Sequence, residues 1–197
     1  LVSQDVKYVV LRNYDFILTS SLIDDIDLLI NSEDFNKAEK ILLNHSFDLY
    51  YDSDVDYTFL YNTRPHAHFT NKALDIHFDI VQGLYYRSLD EKQWVPIASI
   101  FQERILKNRI KVNGFWGFQP ATADEFIHLA CHAIYDKNKL SEKYFLRLND
   151  LLIKSDSDSL KNDLKHVFYS YRKFFYEKIE DNIYKDLFQS YISFKDY

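Results

Sequence analysis

Two aspartates spaced one residue apart open an apolar segment, residues 24–30 (DDIDLLI). Because side chains alternate between the faces of a strand, Asp25 and Asp27 project from one side about 7 Å apart. Ile26 and Leu28 then enter the core. Two carboxylates that face one point repel each other, so they call for a counter-charge, most simply a divalent cation. Oxygen ligation alone favours Mg²⁺ or Mn²⁺ over Zn²⁺, and the segment therefore predicts such a metal site.

A second acidic segment, residues 74–80 (LDIHFDI), repeats the alternation. Asp75, His77 and Asp79 share one face of this predicted strand, and apolar residues share the other. If the strand lies beside the first, Asp75 completes a cluster of three carboxylates. Such a cluster holds two metals, one lowering the pKa of an attacking hydroxyl and one neutralising phosphates. The predicted chemistry is two-metal phosphoryl transfer.

A solvated strand edge is the alternative explanation of the paired aspartates, because surface strands also alternate polar and apolar residues. Three features together favour a site. The pair directly follows a loop, a capped helix directly follows the pair, and a second acid-bearing strand comes some 45 residues later.

Other polar residues lie near these segments. Arg12 ends a predicted strand, where its planar fork of donors suits a phosphate or, equally, an ion pair with a nearby aspartate. His77 can orient a carboxylate, bind metal, act as a general base, or be a hydrogen-bonded structural histidine. His66 and His68 share one face if extended, but no third zinc ligand follows at fixed spacing, and we expect surface histidines.

Two histidines and a cysteine are neighbours in a predicted helix of the C-terminal half. His128 and His132 are four residues apart, without the glutamate of the His-Glu-x-x-His pattern, and we expect them at an interface between lobes. Cys131 points to another helix face, where burial as a small hydrophobe is the better prediction than nucleophilic use.

One dense basic patch occurs between residues 104 and 111. On a hairpin predicted over residues 104–119, Lys107, Arg109 and Lys111 share one face that could meet a phosphorylated substrate. A solvated strand face is the alternative that we favour.

The elements that would position these residues differ between the halves of the chain. Strand patterns occur over residues 7–12, 25–30, 47–51, 57–62 and 73–81. A helix over residues 32–45 would be capped by Ser32 and bury the apolar side chains Phe35, Ala38, Ile41 and Leu42. The first half thus predicts an α/β fold, a small mixed sheet with a helix packed on it.

Residues 92–197 predict a mainly helical lobe with one hairpin that turns near residues 113–114. A capping box at residues 122–125 (TADE) begins one helix. Amphipathic helices follow over residues 141–154 and roughly 159–194, the latter broken near residues 180–182. We predict a catalytic lobe of residues 1–91 and a helical lobe of residues 92–197.

Composition excludes several classes of protein. Hydrophobic residues make up 47% and charged residues 27%, with three glycines and three prolines, which excludes collagen-like and linker-like chains. One cysteine excludes an intramolecular disulfide and favours the cytoplasm. No apolar run reaches the roughly 18 residues of a membrane span. Residues 1–91 carry 16 acidic and 7 basic side chains, which argues against general nucleic-acid binding and favours metal cations.

The order of these motifs resembles the nucleotidyltransferase superfamily that includes DNA polymerase beta. The resemblance rests on residues 8–14 (YVVLRNY), 25–30 (DIDLLI), the following helix, and 74–77 (LDIH). More narrowly, it is similar to the bacterial uncharacterised nucleotidyltransferase group, whose members often accompany surface-polysaccharide genes. It implies a minimal mixed sheet followed by a helical lobe. It covers residues 5–80 with specific motifs, and residues 120–152 more loosely.

By position, the resemblance implies Asp25 and Asp27 as the paired metal ligands and Asp75 as the third carboxylate. These three are the predicted catalytic and metal-binding residues.

The superfamily usually places a Gly-Ser turn after its first strand to cradle the triphosphate, but no glycine precedes Gly83 here. Ser20 and Ser21 are predicted to take part of that role, or Arg12 to supply the phosphate contact instead. With His77, these residues form the predicted cofactor-binding set.

The sequence therefore predicts an enzyme that uses Mg²⁺ or Mn²⁺ to move a nucleotidyl group from a nucleoside triphosphate to a small-molecule, sugar or protein acceptor. Two alternatives stay open. One is a non-catalytic binding module of the same fold in polysaccharide synthesis, which the missing Gly-Ser turn favours. The other is a metal-dependent phosphotransferase that uses a carrier other than a free nucleotide.

Overall fold

A computed structural model describes residues 1–12, 14, 25–50, 66–87, 94–114, 117–137 and 140–181 of the chain. The strands are Tyr8–Val10 (β1), Ile26–Ile30 (β2), Asp48–Tyr50 (β3), His66–Asn71 (β4), Ile76–Val81 (β5), Tyr85–Arg87 (β6), Trp94–Pro96 (β7), Ile110–Lys111 (β8) and Phe118–Gln119 (β9). The α-helices are Phe35–Asn44 (α1), Ser99–Lys107 (α2), Thr122–Cys131 (α3), Glu142–Lys154 (α4), Ser157–Phe168 (α5) and Arg172–Glu180 (α6). Short 3₁₀ turns at Val2–Gln4, Ser32–Asp34 and Tyr169–Tyr171 and a π-helical turn at His132–Asp136 complete the described elements.

The described residues form two compact units. One takes in those within residues 1–85 and 92–121, the other those within 86–91 and 122–197. This division differs from the predicted boundary at residue 91, because residues 92–121 belong to the unit of the sheet. There the ring of Phe118 packs edge-on against Tyr8, with 5.8 Å between the ring centroids.

Five strands of the first unit form a mixed sheet in the order β1-β2-β5-β4-β3. β2 and β5 run parallel, and the other neighbouring pairs are antiparallel. The predicted α/β class with a small mixed sheet is therefore confirmed.

One face of this sheet carries the core of the first unit. Every second residue of the strands contributes to it, because side chains alternate between the two faces of a sheet. The opposite face is buried in part, since Val9 of β1 and Leu29 of β2 are also buried. The buried side chains on this face are Tyr8, Val10, Ile26, Leu28, Ile30, Ala67, Phe69, Phe78 and Ile80. α1 covers them with Phe35, Ala38 and Leu42, which confirms the apolar face predicted for that helix.

Three local predictions for the first unit are wrong. Ser32 does not cap α1, because residues 32–34 form a 3₁₀ turn and Asp34 precedes the helix. β4 was not predicted as a strand, although its alternation buries Ala67 and Phe69. The hairpin is shorter than predicted, since Lys107 ends α2 and only β8 and β9 pair. Lys107 therefore does not share a strand face with Arg109 and Lys111.

The second unit consists of packed helices in its described part. α4 confirms the helix predicted over residues 141–154, and Ser141 caps it: the Ser141 Oγ accepts a hydrogen bond from the Tyr144 amide at 3.4 Å. The helix predicted over residues 159–194 is interrupted at Tyr169, whose φ is 49°. α6 then ends at Glu180, where the sequence predicts a break, and the residues after 181 lie outside the described part of the chain. Phe168 and Phe175 are buried and stack with 4.8 Å between their centroids, so they form part of the core of this unit.

Two buried hydroxyl and thiol groups make stability sensitive to alkaline pH. Burial raises the pKa of Tyr8 from 10.0 to about 12, partly opposed by the positive charge of Arg109. Burial, and secondarily the charge of Asp136, raises the pKa of Cys131 above 9.0. A group with a raised folded-state pKa stabilises the fold fully below its unfolded-state pKa, and that stabilisation is lost as pH rises toward the folded-state value.

We therefore expect the free energy of unfolding to fall above pH 9.0, with Tyr8 contributing a loss of about 2 kcal/mol between pH 10 and pH 12. Urea unfolding of the wild type and Tyr8→Phe across this range checks the expectation. The Tyr8→Phe protein should lose less stability than the wild type. If the free energy of unfolding fell equally with pH in the two proteins, Tyr8 would not be the source of the loss.

Across the described residues, no helix is both long enough and apolar enough to cross a membrane.

Candidate functional site

Asp27 lies in the middle of β2, and its side chain points away from the core face. Ile26 and Leu28, its neighbours, are buried on that core face as predicted. Arg12 grips the Asp27 carboxylate with two parallel bonds: Nε donates to Oδ2 at 2.6 Å and Nη2 donates to Oδ1 at 2.7 Å. Of the two predicted roles for Arg12, the structure contains the ion pair with an aspartate. Such a bidentate pair balances a largely buried negative charge.

Asp79 is the carboxylate beside Asp27. The parallel register of β2 and β5 pairs these two residues directly, so their side chains leave the sheet on the same face. The Oδ1 atom of Asp79 is buried and has no hydrogen-bond partner. A buried carboxylate oxygen without a donor is costly, so this atom calls for a cation or donor that the described residues do not supply.

Asp25 precedes β2 at the open end of the site. Its side chain is 71% exposed, and its Oδ1 lies 4.0 Å from Nε2 of His77. The structure thus brings Asp25, Asp27 and His77 to one region of the sheet. The alternation of polar and apolar residues in the two acidic segments is the sequence signal that predicts this group of side chains.

Asp75 does not lie on the acidic strand. β5 begins at Ile76, and Asp75 occupies an exposed turn with a left-handed φ of 52°. The turn is formed by Asn71, whose Oδ1 accepts hydrogen bonds from the amides of Ala73 and Leu74, both at 3.1 Å. This side-chain turn ends β4. It includes residues 73–75, which the sequence pattern predicts as the start of the next strand. The predicted position of Asp75 on the strand face is therefore wrong, and Asp79 takes the place beside Asp27.

His77 is the centre of a polar array that crosses β3, β4 and β5. Its Nδ1 lies 2.9 Å from Thr70 Oγ1 and 3.4 Å from the Tyr50 hydroxyl, and its Nε2 lies 3.3 Å from His68 Nδ1. The ring of Tyr50 stacks on His68, with 5.0 Å between centroids. These contacts hold the His77 ring in one orientation beside Asp25.

The sequence interpretation missed the contribution of β4 to this array. His68 was expected to be a surface histidine, yet its ring is partly buried between Tyr50 and His77. The alternation of residues 66–71 (HAHFTN) is the signal that places His68 and Thr70 on the polar face.

Two predicted phosphate contacts, Ser20 and Ser21, lie outside the described residues. Within the described part of the chain, no three histidine, cysteine, aspartate or glutamate side chains converge closely enough to hold a metal ion. The potential metal ligands around Asp27 are nevertheless of the chemical type that a hard cation binds. They are carboxylate oxygens, and one of them, on Asp79, is buried without a partner.

In the second unit, His128 and His132 belong to separate hydrogen-bonded groups. Nδ1 of His128 lies 2.8 Å from the Tyr86 hydroxyl. His132 lies 2.9 Å from Asp136 Oδ2 and 3.2 Å from the Tyr144 hydroxyl. Their role at an interface between lobes stays a prediction.

Cys131 is fully buried, which confirms its expected role as a small hydrophobe. Because burial raises its pKa, its thiol is not a nucleophile in the folded protein.

Comparisons with known proteins identify the family to which this chain is similar. A family model described as "Uncharacterised nucleotidyltransferase" matches residues 19–162. None of the curated proteins matches the sequence. Among solved structures, the chain is similar to the antibiotic-resistance factor ANT(2'')-Ia in solution, at 10% identity and a TM-score of 0.49, over 92% of this chain and 89% of that one. It is also similar to a tRNA nucleotidyltransferase complexed with a primer tRNA and an incoming ATP analogue, at 11% identity and a TM-score of 0.31, over 91% of this chain and 59% of that one.

The family match spans well over half of the chain and includes both acidic segments, and the chain therefore belongs to the uncharacterised nucleotidyltransferase family.

Proposed function

We propose that this protein is a metal-dependent nucleotidyltransferase that moves a nucleotidyl group from a nucleoside triphosphate to a hydroxyl or phosphate of a small-molecule, sugar or protein acceptor. The observation that carries the proposal is the pairing of Asp27 with Asp79 in register on one face of the sheet. One of these carboxylates has an arginine counter-ion, and the other has a buried oxygen without a partner among the described residues. The family match supports nucleotidyl transfer in general.

Asp25, Asp27 and Asp79 are the residues that would hold Mg²⁺ or Mn²⁺. The bound cation would neutralise the triphosphate and lower the pKa of the acceptor oxygen. Asp79 replaces Asp75 in this set, because its Oδ1 is buried and unpartnered whereas Asp75 lies in an exposed turn.

In the proposed reaction, an acceptor oxygen forms a bond to the α-phosphorus, the bond from that phosphorus to the bridging oxygen breaks, and pyrophosphate leaves with the electron pair. The contribution of this chain is charge placement and orientation. Arg12 fixes the Asp27 carboxylate through two bonds, and the His77 ring is held by Thr70 and His68 where it can orient Asp25.

Thermal unfolding with each of the four ribonucleoside triphosphates, with and without Mg²⁺ or Mn²⁺, tests the proposal. A ligand present at about 100 times its dissociation constant adds about 2.7 kcal/mol of stability, which is a readable rise in melting temperature. We expect a rise that needs both metal and triphosphate and that is lost in Asp27→Asn. A rise without metal, or none with any triphosphate, would contradict the proposal.

A non-catalytic binding module is the second candidate, and one observation favours it. Arg12 occupies both oxygens of the Asp27 carboxylate, so a metal at Asp27 must compete with an internal cation. Metal-dependent triphosphate binding without release of pyrophosphate would support this candidate. Group transfer without pyrophosphate release would instead indicate the phosphotransferase. A sugar acceptor in surface-polysaccharide synthesis stays a prediction from the family resemblance.

A further inference from the structure

A second cavity of the sheet unit is lined by cations, in contrast to the acidic pair at Asp27. It has a volume of about 460 Å³ and lies where β2 ends and β1 begins, beside α2. Its charged lining is Lys7, Lys107, Arg109 and Glu103, so the cavity carries a net of two positive charges in a chain whose net charge is −6.

The cavity is separate from the carboxylate site. Asn31 and Ser32, which follow β2, are part of its lining, whereas Asp25 precedes that strand. Leu29, the β2 residue in the lining, lies two positions after Asp27 on the same face of the strand, about 7 Å further along it, so the cavity begins beyond the carboxylate pair. None of Asp25, Asp27, Asp79 or His77 lines the cavity.

The lysine ammonium groups of the lining, those of Lys7 and Lys107, make no ion pair or hydrogen bond with another described residue. Arg109 donates from Nη1 to the carbonyl of Leu106 at 2.6 Å, but its Nε is buried and has no acceptor. The guanidinium carbon lies 4.8 Å from the ring centroid of Phe118, which holds the group in place.

We propose that this cavity binds the phosphate group of a small phosphate monoester. A phosphate monoester carries about −1.5 to −2 charges at neutral pH, which matches the net charge of the lining. Its oxygens accept charge-assisted hydrogen bonds from ammonium groups such as those of Lys7 and Lys107 in the lining. The volume falls within the range of small-molecule sites, and Asn31, Gln82 and Glu103 offer polar groups to the rest of the ligand.

Isothermal titration of the full chain in EDTA tests the proposal with three probes: inorganic phosphate, ribose 5-phosphate and ribose. We expect saturable, metal-independent binding of the two phosphates and none of ribose. Tighter binding of ribose 5-phosphate than of inorganic phosphate assigns the site to a monoester, and equal binding assigns it to the free anion. Both results support a phosphate site.

The matched variants are Lys7→Gln/Lys107→Gln, which removes two exposed cations of the lining, and Lys111→Gln, which removes an exposed cation of the nearby hairpin outside it. The double variant should bind at least about tenfold more weakly, because each lost charge-assisted contact contributes on the order of a factor of ten. Lys111→Gln should bind as the wild type does.

Absence of saturable binding, or equal binding by the wild type and the double variant, would overturn the proposal. A melting temperature for each protein shows that it is folded. Because EDTA removes metal and none of the proposed metal-binding residues lines the cavity, the result is independent of the proposed transferase activity.

Discussion

Asp27→Asn and Asp79→Asn should each lower kcat/KM for nucleotidyl transfer by at least about a thousandfold, a loss of about 4 kcal/mol in transition-state stabilisation. The two carboxylates are register partners on β2 and β5, so each substitution removes one of the three negative charges that would hold the cation. Asparagine keeps the size of the side chain but not its charge. Release of pyrophosphate from the triphosphate, measured with the acceptor that supports turnover, provides the rate.

Asp75→Asn is the matched control for this prediction. Asp75 lies in an exposed turn with φ 52°, a conformation that asparagine also adopts readily, so the substitution should leave both fold and turnover near wild type. If Asp75→Asn instead lowered kcat/KM as much as Asp79→Asn does, the polar and apolar alternation of the sequence, and not the register of the sheet, would identify the third carboxylate. Full turnover in Asp27→Asn would overturn the proposed site.

Arg147→Met should destabilise the helical unit by about 3 kcal/mol. Arg147 donates from Nε and Nη2 to the two oxygens of Glu125, at 2.8 and 3.0 Å, and the Glu125 side chain is only 3% exposed. Removing one partner of a buried pair leaves a desolvated charge behind, which typically costs 3–5 kcal/mol. We expect a loss at the low end of this range because the Arg147 side chain is partly exposed. Urea unfolding of the full chain measures the loss.

Lys154→Met is the surface control for this second prediction. It removes the exposed pair of Lys154 with Asp150, which lie 2.8 Å apart, and should change stability by less than about 1 kcal/mol. Glu125→Gln combined with Arg147→Met removes both charges and should recover part of the loss. If Arg147→Met proved no more harmful than Lys154→Met, the buried pair would not stabilise the fold.

Short-range patterns predicted much of the architecture. The period of two in residues 25–30 predicts both the β2 strand and which of its faces enters the core, because alternation is a local property of extended chains. The apolar spacing of residues 35–42 and the Ser141 cap are local signals of the same kind. The mixed sheet and the family follow from the order of these segments.

The sequence by itself determined that paired carboxylates emerge from one strand and that acid and histidine side chains share a face on another. Only the tertiary structure decided which of them meet. The parallel register of β2 and β5 places Asp79 beside Asp27, and the Asn71 turn removes Asp75 from the strand. Arg12 reaches Asp27 across 15 positions of sequence. Register and ion pairing depend on contacts between distant segments, and no local spacing encodes them.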